Sequence, residues 1–374
     1  MRLLSILFAA GTLHASAVYN VVGIGGYGGR VSTAAAVNAV GQVIGNATTP
    51  NGTSVVFSSA AFTTPGAAPS ALGTSARGED INSAGTVVGT SYTNAGARAV
   101  TWKDGVASEL LSVQSYGLGV NEAGDIVGAR IQNGKLQAFI NDQNGTVDLA
   151  AGSSWSAAYD INDKRQVAGT RQTASGAFRA FSWSALEGTT AIGTLGGSSS
   201  YGQALNNSGT IVGSAQTRAG YLHATLYDGT LRDLGTLGGT TSAAFDINDA
   251  GTVVGYSYDA VGRSRAFAWF GSMMLDLNTM IDSNLGWSLD TAYGINASGQ
   301  IVGGGTYQGQ AAAWLLDPVQ LPQTNNDLTD TTLQIGNVPA SVPEPGAMAL
   351  MGTGLLLLCI GRRIRRQSKG DGGA

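Results

Sequence analysis

Few residues of this chain could do chemistry. Its 374 residues include two histidines, His14 and His223, and one cysteine, Cys359. Disulfide scaffolds, cysteine clusters, zinc fingers and polyhistidine metal sites are therefore excluded. His223 could act as a general base, which needs an orienting acid and a nucleophile within reach. No Gly-x-Ser-x-Gly turn accompanies it, and it falls where other copies of a repeat carry Arg98, Gln137, Arg179, Arg265 and Gln310. A polar strand-edge residue is the expectation there.

Asp80, Asp160 and Asp246 each stand two residues before a turn asparagine. Strand alternation would put them on the same face as a recurring Ala/Gly position two residues earlier. With Asp125, Asp163 and Asp249 they offer the oxygen ligands that Ca²⁺ takes. Four of seven repeat copies lack the inner acid and no Asp-x-Asp-x-Asp-Gly loop occurs, so hydrogen bonding to a neighbouring unit is expected, with no metal or other cofactor. Two carboxylates about 5 to 10 Å apart could hydrolyse a glycosidic bond, and tryptophans could stack on sugar rings. Trp102, Trp183, Trp269 and Trp314 hold one repeat position and are expected in the core. Trp155 and Trp287 fall outside it and are the candidates for ligand contact. No catalytic residue is assigned.

Gly23-x-Gly25-x-x-Gly28 matches the dinucleotide fingerprint after a strand. No acid occurs before Glu79, so the ribose-binding carboxylate about 20 residues on is missing. The segment Ile24 to Gly29 also sits nine residues before Asn38, as Ile192 to Gly197 does before Asn206 and Leu234 to Gly239 before Asn248. These glycines are a repeat turn.

The elements that must position all of these residues are repeated. The pattern Asn-x-x-Gly-x-(Val/Ile)-(Val/Ile/Ala)-Gly begins at Asn38, Asn82, Asn121, Asn206, Asn248 and Asn296, with a copy at Asn162 that has Arg165 in place of the first glycine. Successive spacings are 44, 39, 41, 44, 42 and 48 residues. A second element, a small residue three before an aromatic, follows as Ala99/Trp102, Ala180/Trp183, Ala224/Tyr227, Ala266/Trp269 and Ala311/Trp314, with weaker forms at Ser54/Phe57 and Ala138/Asn141. From Ser242 to Trp269 one unit reads as an alternating strand, an Asn-Asp-Ala-Gly turn, a β-branched return strand and a third strand; Met-Met-Leu-Asp-Leu supplies a fourth. Four residues before each turn asparagine stand Ala34, Gly78, Gly117, Ala158, Gly202, Ala244 and Ala292, small enough to pack where units converge. Four short strands in about 43 residues, seven times over, predict an all-β, seven-bladed β-propeller, with a β-solenoid as runner-up. The chain reads as starting on the first strand of one unit and ending near the last strand of another, which leaves open whether a terminal strand completes the opposite blade.

These units resemble the extracellular HAF repeat family. The matches are Leu234 to Gly239, Ile247 to Gly255 and a partial copy from Ile192 to Gly197, with the name-giving triplet degraded to His223-Ala224-Thr225, Arg179-Ala180-Phe181 and Arg265-Ala266-Phe267. The resemblance implies an exported, propeller-like protein and carries over no catalytic role.

Both ends read as addresses. Arg2, the apolar run Leu3 to Ala10 and the small residues Ala15 and Ala17 form a signal peptide over residues 1–17, cleaved before Val18. Residues 18–320 are the repeats and 321–341 a polar linker. In the tail, Val342-Pro343-Glu344-Pro345 precedes a mostly apolar run, and Arg362, Arg363, Arg365 and Arg366 follow as a membrane stop. The run spans about 24 Å as a helix, short of a roughly 30 Å hydrocarbon core. This tail, residues 342–366, closely resembles the PEP-CTERM sorting signal of Gram-negative bacteria; residues 367–374 would stay cytoplasmic. The resemblance implies Sec export, an inner-membrane precursor held by a transmembrane helix, and processing by exosortase. It also implies association with exopolysaccharide and biofilm.

Between the ends the body has 14 Lys and Arg against 22 Asp and Glu, a poor fit to nucleic acid. A non-enzymatic envelope or matrix protein that binds or organises exopolysaccharide is expected at the cell surface. A propeller lyase or glycoside hydrolase is the alternative from another class, and a protein-docking module the second.

Overall fold

The computed structural model describes residues 18–25, 27–59, 70–150 and 152–319. The residues read as a signal peptide, Ala15 and Ala17 among them, the linker and the sorting segment lie outside them. The described residues form 28 strands in seven four-stranded antiparallel sheets, the blades of a β-propeller. Helix among them is limited to two 3-10 turns, Leu277–Thr279 and Ser283–Leu285.

Six blades use consecutive strands, with Ser32–Val37, Ala76–Ile81, Ser115–Val120, Ser156–Ile161, Gly196–Leu205 and Gly238–Ile247 innermost. The seventh runs outward through Trp287–Ile295, Ile301–Tyr307 and Gln310–Pro318, and its outermost strand is Tyr19–Ile24. The chain thus begins on the last strand of the seventh blade, not on the first strand of a unit. Tyr19 pairs with Pro318 and Ile24 with Ala313, so the ring closes by strand pairing and the solenoid alternative falls.

The repeated asparagine makes two connections. Its Oδ1 accepts the backbone N–H four residues on, at 2.8 to 3.0 Å in every blade, which fixes the hairpin turn. Its Nδ2 donates to the backbone carbonyl of the turn asparagine in the next blade, at 3.0 to 3.3 Å. The last of these runs from Asn296 to Asn38 at 3.0 Å, so the seven amides form an unbroken circle. All seven asparagines are buried. The residue three after each needs positive φ, which glycine adopts freely; Arg165 holds it at 61° in the fourth blade.

The motif's second glycine has a different cause. A Cβ on Gly45, Gly89, Gly128, Gly169, Gly213, Gly255 or Gly303 would stand 2.0 to 2.4 Å from an inner-strand carbonyl oxygen. In five blades a fully buried ring, Phe57, Phe139, Phe181, Phe267 or Trp314, lies opposite that glycine. Trp314 and Phe57 therefore do not belong to the row of Trp102, Trp183 and Trp269, which pair with Val87, Val167 and Val253. The Trp-row equivalents in the first and seventh blades are Ser59 and Leu316. In the seventh blade the run Ala311-Ala312-Ala313 lets the small-to-aromatic spacing match two residues early: Ala313 is the counterpart of Ala99, and Leu316 stands three residues after it.

A second tie joins neighbours. The Oγ of Ser115, Ser156, Ser200 and Ser242 accepts the backbone N–H of Ala99, Ala138, Ala180 and Ala224 in the preceding blade, at 2.8 to 3.0 Å. Those alanines are buried where the next inner strand presses on them, which is why they stay small.

Asn206→Ala should lower stability by about 2 to 4 kcal/mol, because two buried hydrogen bonds go and their backbone partners stay unpaired. Asn206→Asp at pH 7 should be at least as costly, since a carboxylate would face the Asn248 carbonyl. Urea unfolding of both variants checks this. A benign Asn206→Asp would mean that the asparagine only caps its own turn.

Candidate binding face at the open end of the ring

Because strands alternate in direction, the asparagine turns and the third-to-fourth-strand hairpins share one end of the ring. The second-to-third-strand hairpins and the crossings between blades share the other, called here the open end. The two ends differ in charge. Ten of the fourteen Lys and Arg between residues 18 and 319 lie toward the open end, leaving Lys103, Lys164, Arg165 and Arg232 at the turn end.

They also differ in aromatic content. The exposed tyrosines of the described residues are Tyr92, Tyr221, Tyr258, Tyr293 and Tyr307, at 36 to 50% exposure. Four flank open-end hairpins, and Tyr293 sits on the inner strand of the seventh blade. Two aromatic runs cross between blades. Trp155 meets Phe178 edge-on at 5.4 Å, and Phe178 stacks on Tyr201 of the fifth blade at 5.7 Å. Tyr258 meets Tyr256 at 5.8 Å, Tyr256 meets Phe245 at 5.7 Å, and Phe245 stacks on Tyr293 at 5.5 Å. The second run leads from an open-end hairpin to the innermost strands.

Of the two tryptophans singled out from sequence, Trp287 starts an inner strand at this end and Trp155 directly precedes one, in different blades. Trp155 heads the fourth-blade run. Trp287 packs on Tyr307 at 4.9 Å and lies against Gly23 of the closing strand, where an added Cβ would come within 3.2 Å of it. The structure does not bring the two together.

The inner acids depart from simple alternation. Every inner strand has a register shift two residues before its turn asparagine, leaving one extra residue: Ala35, Glu79, Leu118, Tyr159, Gln203, Phe245 or Tyr293. This β-bulge puts the Asp and the Ala/Gly on opposite faces. A Cβ on Gly78 would meet Val56 and Ile44 of the preceding blade, whereas Asp80 reaches the following one. Its Oδ1 accepts from Ile81 N–H at 2.7 Å and its Oδ2 from Val120 N–H at 2.9 Å. Asp160 does the same with Ile161 and Leu205, and Asp246 with Ile247 and Ile295. The expected bonding to a neighbouring unit is what these acids do; the shared face is not.

Burial raises all three carboxyls, Asp160 to about 8 and Asp246 to about 7. Mutual repulsion adds to it, and the backbone N–H donors oppose it. Yet each keeps partial solvent contact. Glu79, on the bulge, is also raised by burial, against the lowering effect of Arg77, which pairs with it at 2.6 Å. Tyr159 and Tyr92 both feel its charge.

The remaining acids disperse. Asp125 accepts from Asn121 Nδ2 and lies 3.6 Å from Arg165. Asp163 and Asp249 join an exposed turn-end arc in which Glu122 N–H donates to Asp163 and Asn207 N–H to Asp249. Among the described residues no three His, Cys, Asp or Glu are placed to hold a metal ion. His223 Nδ1 lies 2.9 Å from Asp233 Oδ2, joining third and fourth strands, with no hydroxyl or thiol nucleophile in its hydrogen bonds.

Sequence reasoning passed over Phe178, Tyr201, Phe245, Tyr256, Tyr293 and Glu79. For three of them a signal existed: the position three before the turn asparagine is the variable one in an otherwise constrained inner strand.

Residues 341–366 match the PEP-CTERM protein-sorting motif, which implies an exported, membrane-anchored precursor processed by exosortase in a Gram-negative bacterium. No curated protein matches the chain. Among solved structures, a puromycin hydrolase mutant complexed with PGG is 13% identical with a TM-score of 0.51, covering 78% of this chain and 53% of that one. Pyrococcus horikoshii acylaminoacyl peptidase is 13% identical with a TM-score of 0.46, covering 75% and 49%. TolB from Acinetobacter baumannii is 10% identical with a TM-score of 0.42, covering 79% and 65%. The chain thus spans about half to two thirds of the length of these structures. The likeness to the hydrolase mutant is one of fold alone.

The raised carboxyls bind protons in the folded ring that the unfolded chain releases near pH 4. Their contribution is fully present below that pH and is lost as pH rises through 7 to 8. The melting temperature should therefore fall from pH 5 to pH 9, by a few kcal/mol in stability terms. Asp160→Asn/Asp246→Asn should start lower, because an amide NH₂ faces a backbone N–H, and should vary less with pH. An unchanged slope in calorimetry would detach these acids from the effect.

Proposed function

We propose that this protein is an exported, exosortase-processed propeller of a Gram-negative cell surface that binds or organises exopolysaccharide without cleaving it. The observation that carries the reading is the pair of aromatic runs at the open end, one of them leading to the innermost strands. Rings partly open to solvent, flanked by arginine and tyrosine hydroxyl donors, suit the apolar faces and hydroxyl edges of sugars. Trp155 is the better placed of the two tryptophans for ligand, since Trp287 also supports the closing strand. The resemblance to HAF repeats, carried by residues 234–239 and 247–255, accords with export.

One observation favours a glycoside hydrolase or lyase: Asp160 and Asp246 hold protons near neutral pH, as a general acid must. Both oxygens of each are spent on backbone N–H groups, which suits a structural tie better than proton transfer.

Size-exclusion chromatography of the full-length protein in detergent with the producing organism's exopolysaccharide tests this. Co-elution with polymer of unchanged size is expected, weakened about tenfold by Trp155→Ala. Shrinkage of the polymer would establish an enzyme instead, and separate elution would leave a protein partner. For sorting, alanines at Pro343, Glu344 and Pro345 should hold the precursor at the inner membrane with its tail intact; unchanged processing would remove exosortase from the reading.

A further inference from the structure

The bulge on each inner strand sets one side chain apart. In all seven blades the residue four before the turn asparagine and the residue directly before it are buried, whereas the bulged residue between them keeps solvent contact. An innermost strand has a neighbouring blade on either face and its own second strand behind it. Solvent reaches it only from the ends or from the axis that propeller blades surround. Each bulged residue stands three before its turn asparagine, so the repeat sets all seven at one height around that axis. Contacts between blades agree. Phe245 stacks on Tyr293 of the next blade at 5.5 Å, and the charge of Glu79 acts on Tyr159 two blades away.

This collar has two unlike arcs. Phe245 and Tyr293, in the sixth and seventh blades, make an aromatic arc, which Tyr258 and Tyr256 connect to an open-end hairpin. Glu79, Tyr159 and Gln203, in the second, fourth and fifth blades, make a polar one. Its polar groups are largely unspent. Glu79 Oε1 meets Arg77 at 2.6 Å. Among the described residues no hydrogen bond engages Glu79 Oε2, the Gln203 amide or the hydroxyls of Tyr159 and Tyr293. Asp80, Asp160 and Asp246, by contrast, spend both oxygens on backbone N–H groups. Half-enclosed donors and acceptors without protein partners, beside stacked rings, suit a pyranose, with its apolar face and hydroxyl edge. The surrounding carboxyls disfavour an anion. A chain that is encircled must enter by its end.

We propose that the bulged residues form a subsite for one neutral hexose at the end of a polysaccharide chain, seated on Phe245 and Tyr293 and hydrogen-bonded by Glu79, Tyr159 and Gln203. The proposal rests on the reading of this protein as a polysaccharide binder and specifies which part of the polymer is held. Arg77 is a positioning residue in it: its contact with Oε1 fixes the Glu79 carboxylate and leaves Oε2 to a sugar hydroxyl.

Counting bound protein against chain ends decides it. Full-length protein, in a detergent without a sugar headgroup, is titrated into the organism's exopolysaccharide before and after partial acid cleavage, at equal polymer mass. Bound protein at saturation should rise in proportion to the number of chain ends. Phe245→Ala should weaken binding of the cleaved chains about tenfold. Gln203→Leu, which removes no protein hydrogen bond, should weaken it about threefold to tenfold with its melting temperature unchanged. At least one of free glucose, galactose and mannose should compete, and glucuronate should not. Saturation that follows polymer mass whatever the number of ends, or full affinity in both variants, would overturn the subsite and leave the general reading intact. Stronger competition by glucuronate than by any of the three hexoses would do the same. Failure to bind either polymer would overturn both.

Discussion

One side-chain amide per blade holds this ring together. Each turn asparagine braces its own hairpin through Oδ1 and grips the next blade through Nδ2, so a single residue couples local turn geometry to ring closure. Neither half can be given up without leaving a buried backbone group unpaired. The connection between Asn296 and Asn38 spans 258 residues, and the entropy of bringing such distant segments together opposes closure. Pairing of Tyr19–Ile24 with Gln310–Pro318 offsets that cost with a full antiparallel ladder. The axial acids, the serine ties and the open-end aromatics all presuppose the closed circle.

Within that circle the inner strand serves two neighbours at once. Its Ala or Gly presses against the preceding blade, and after the bulge its next side chain reaches the following one. The extra residue is released from both duties. Glu79, Tyr159, Phe245 and Tyr293 occupy that released position, so the bulge that perfects inter-blade packing also supplies the ring with its variable positions. Packing fixes the neighbours of each bulge, and function is free to choose the bulged residue.

Much of the fold was legible in sequence because its determinants are local. Asn-x-x-Gly reads as a turn from a side-chain acceptor and a positive φ four residues apart at most. The four-strand unit reads from alternation, and seven copies read as a ring. Other features were hidden because they depend on partners far along the chain. Nothing near Asn38 reveals that its carbonyl serves Asn296. Tyr19–Ile24 looks like the start of the first unit until the seventh is found one strand short. The bulge misled the assignment of the Asp faces, since one added residue reverses every side chain beyond it. Trp314 was placed in the wrong row because three consecutive alanines, Ala311 to Ala313, let the small-to-aromatic spacing match two residues early. At the candidate binding face Trp155 and Trp287 stood out as irregular tryptophans, whereas Phe178 and Tyr201 acquire meaning only from what lies across the strand or in the next blade.

The order of strands in the seventh blade has a mechanical consequence. Gln310–Pro318 is not an edge strand; it is bonded on one side to Tyr19–Ile24 and on the other to Ile301–Tyr307. Val319 N–H also bonds the Val18 carbonyl at 2.9 Å. Tension entering the chain beyond Val319 is therefore carried along two ladders together, in shear, where many hydrogen bonds must break at once. A terminal strand on the rim would instead unzip one pair at a time. A load entering at Val319 thus meets the seam that closes the ring.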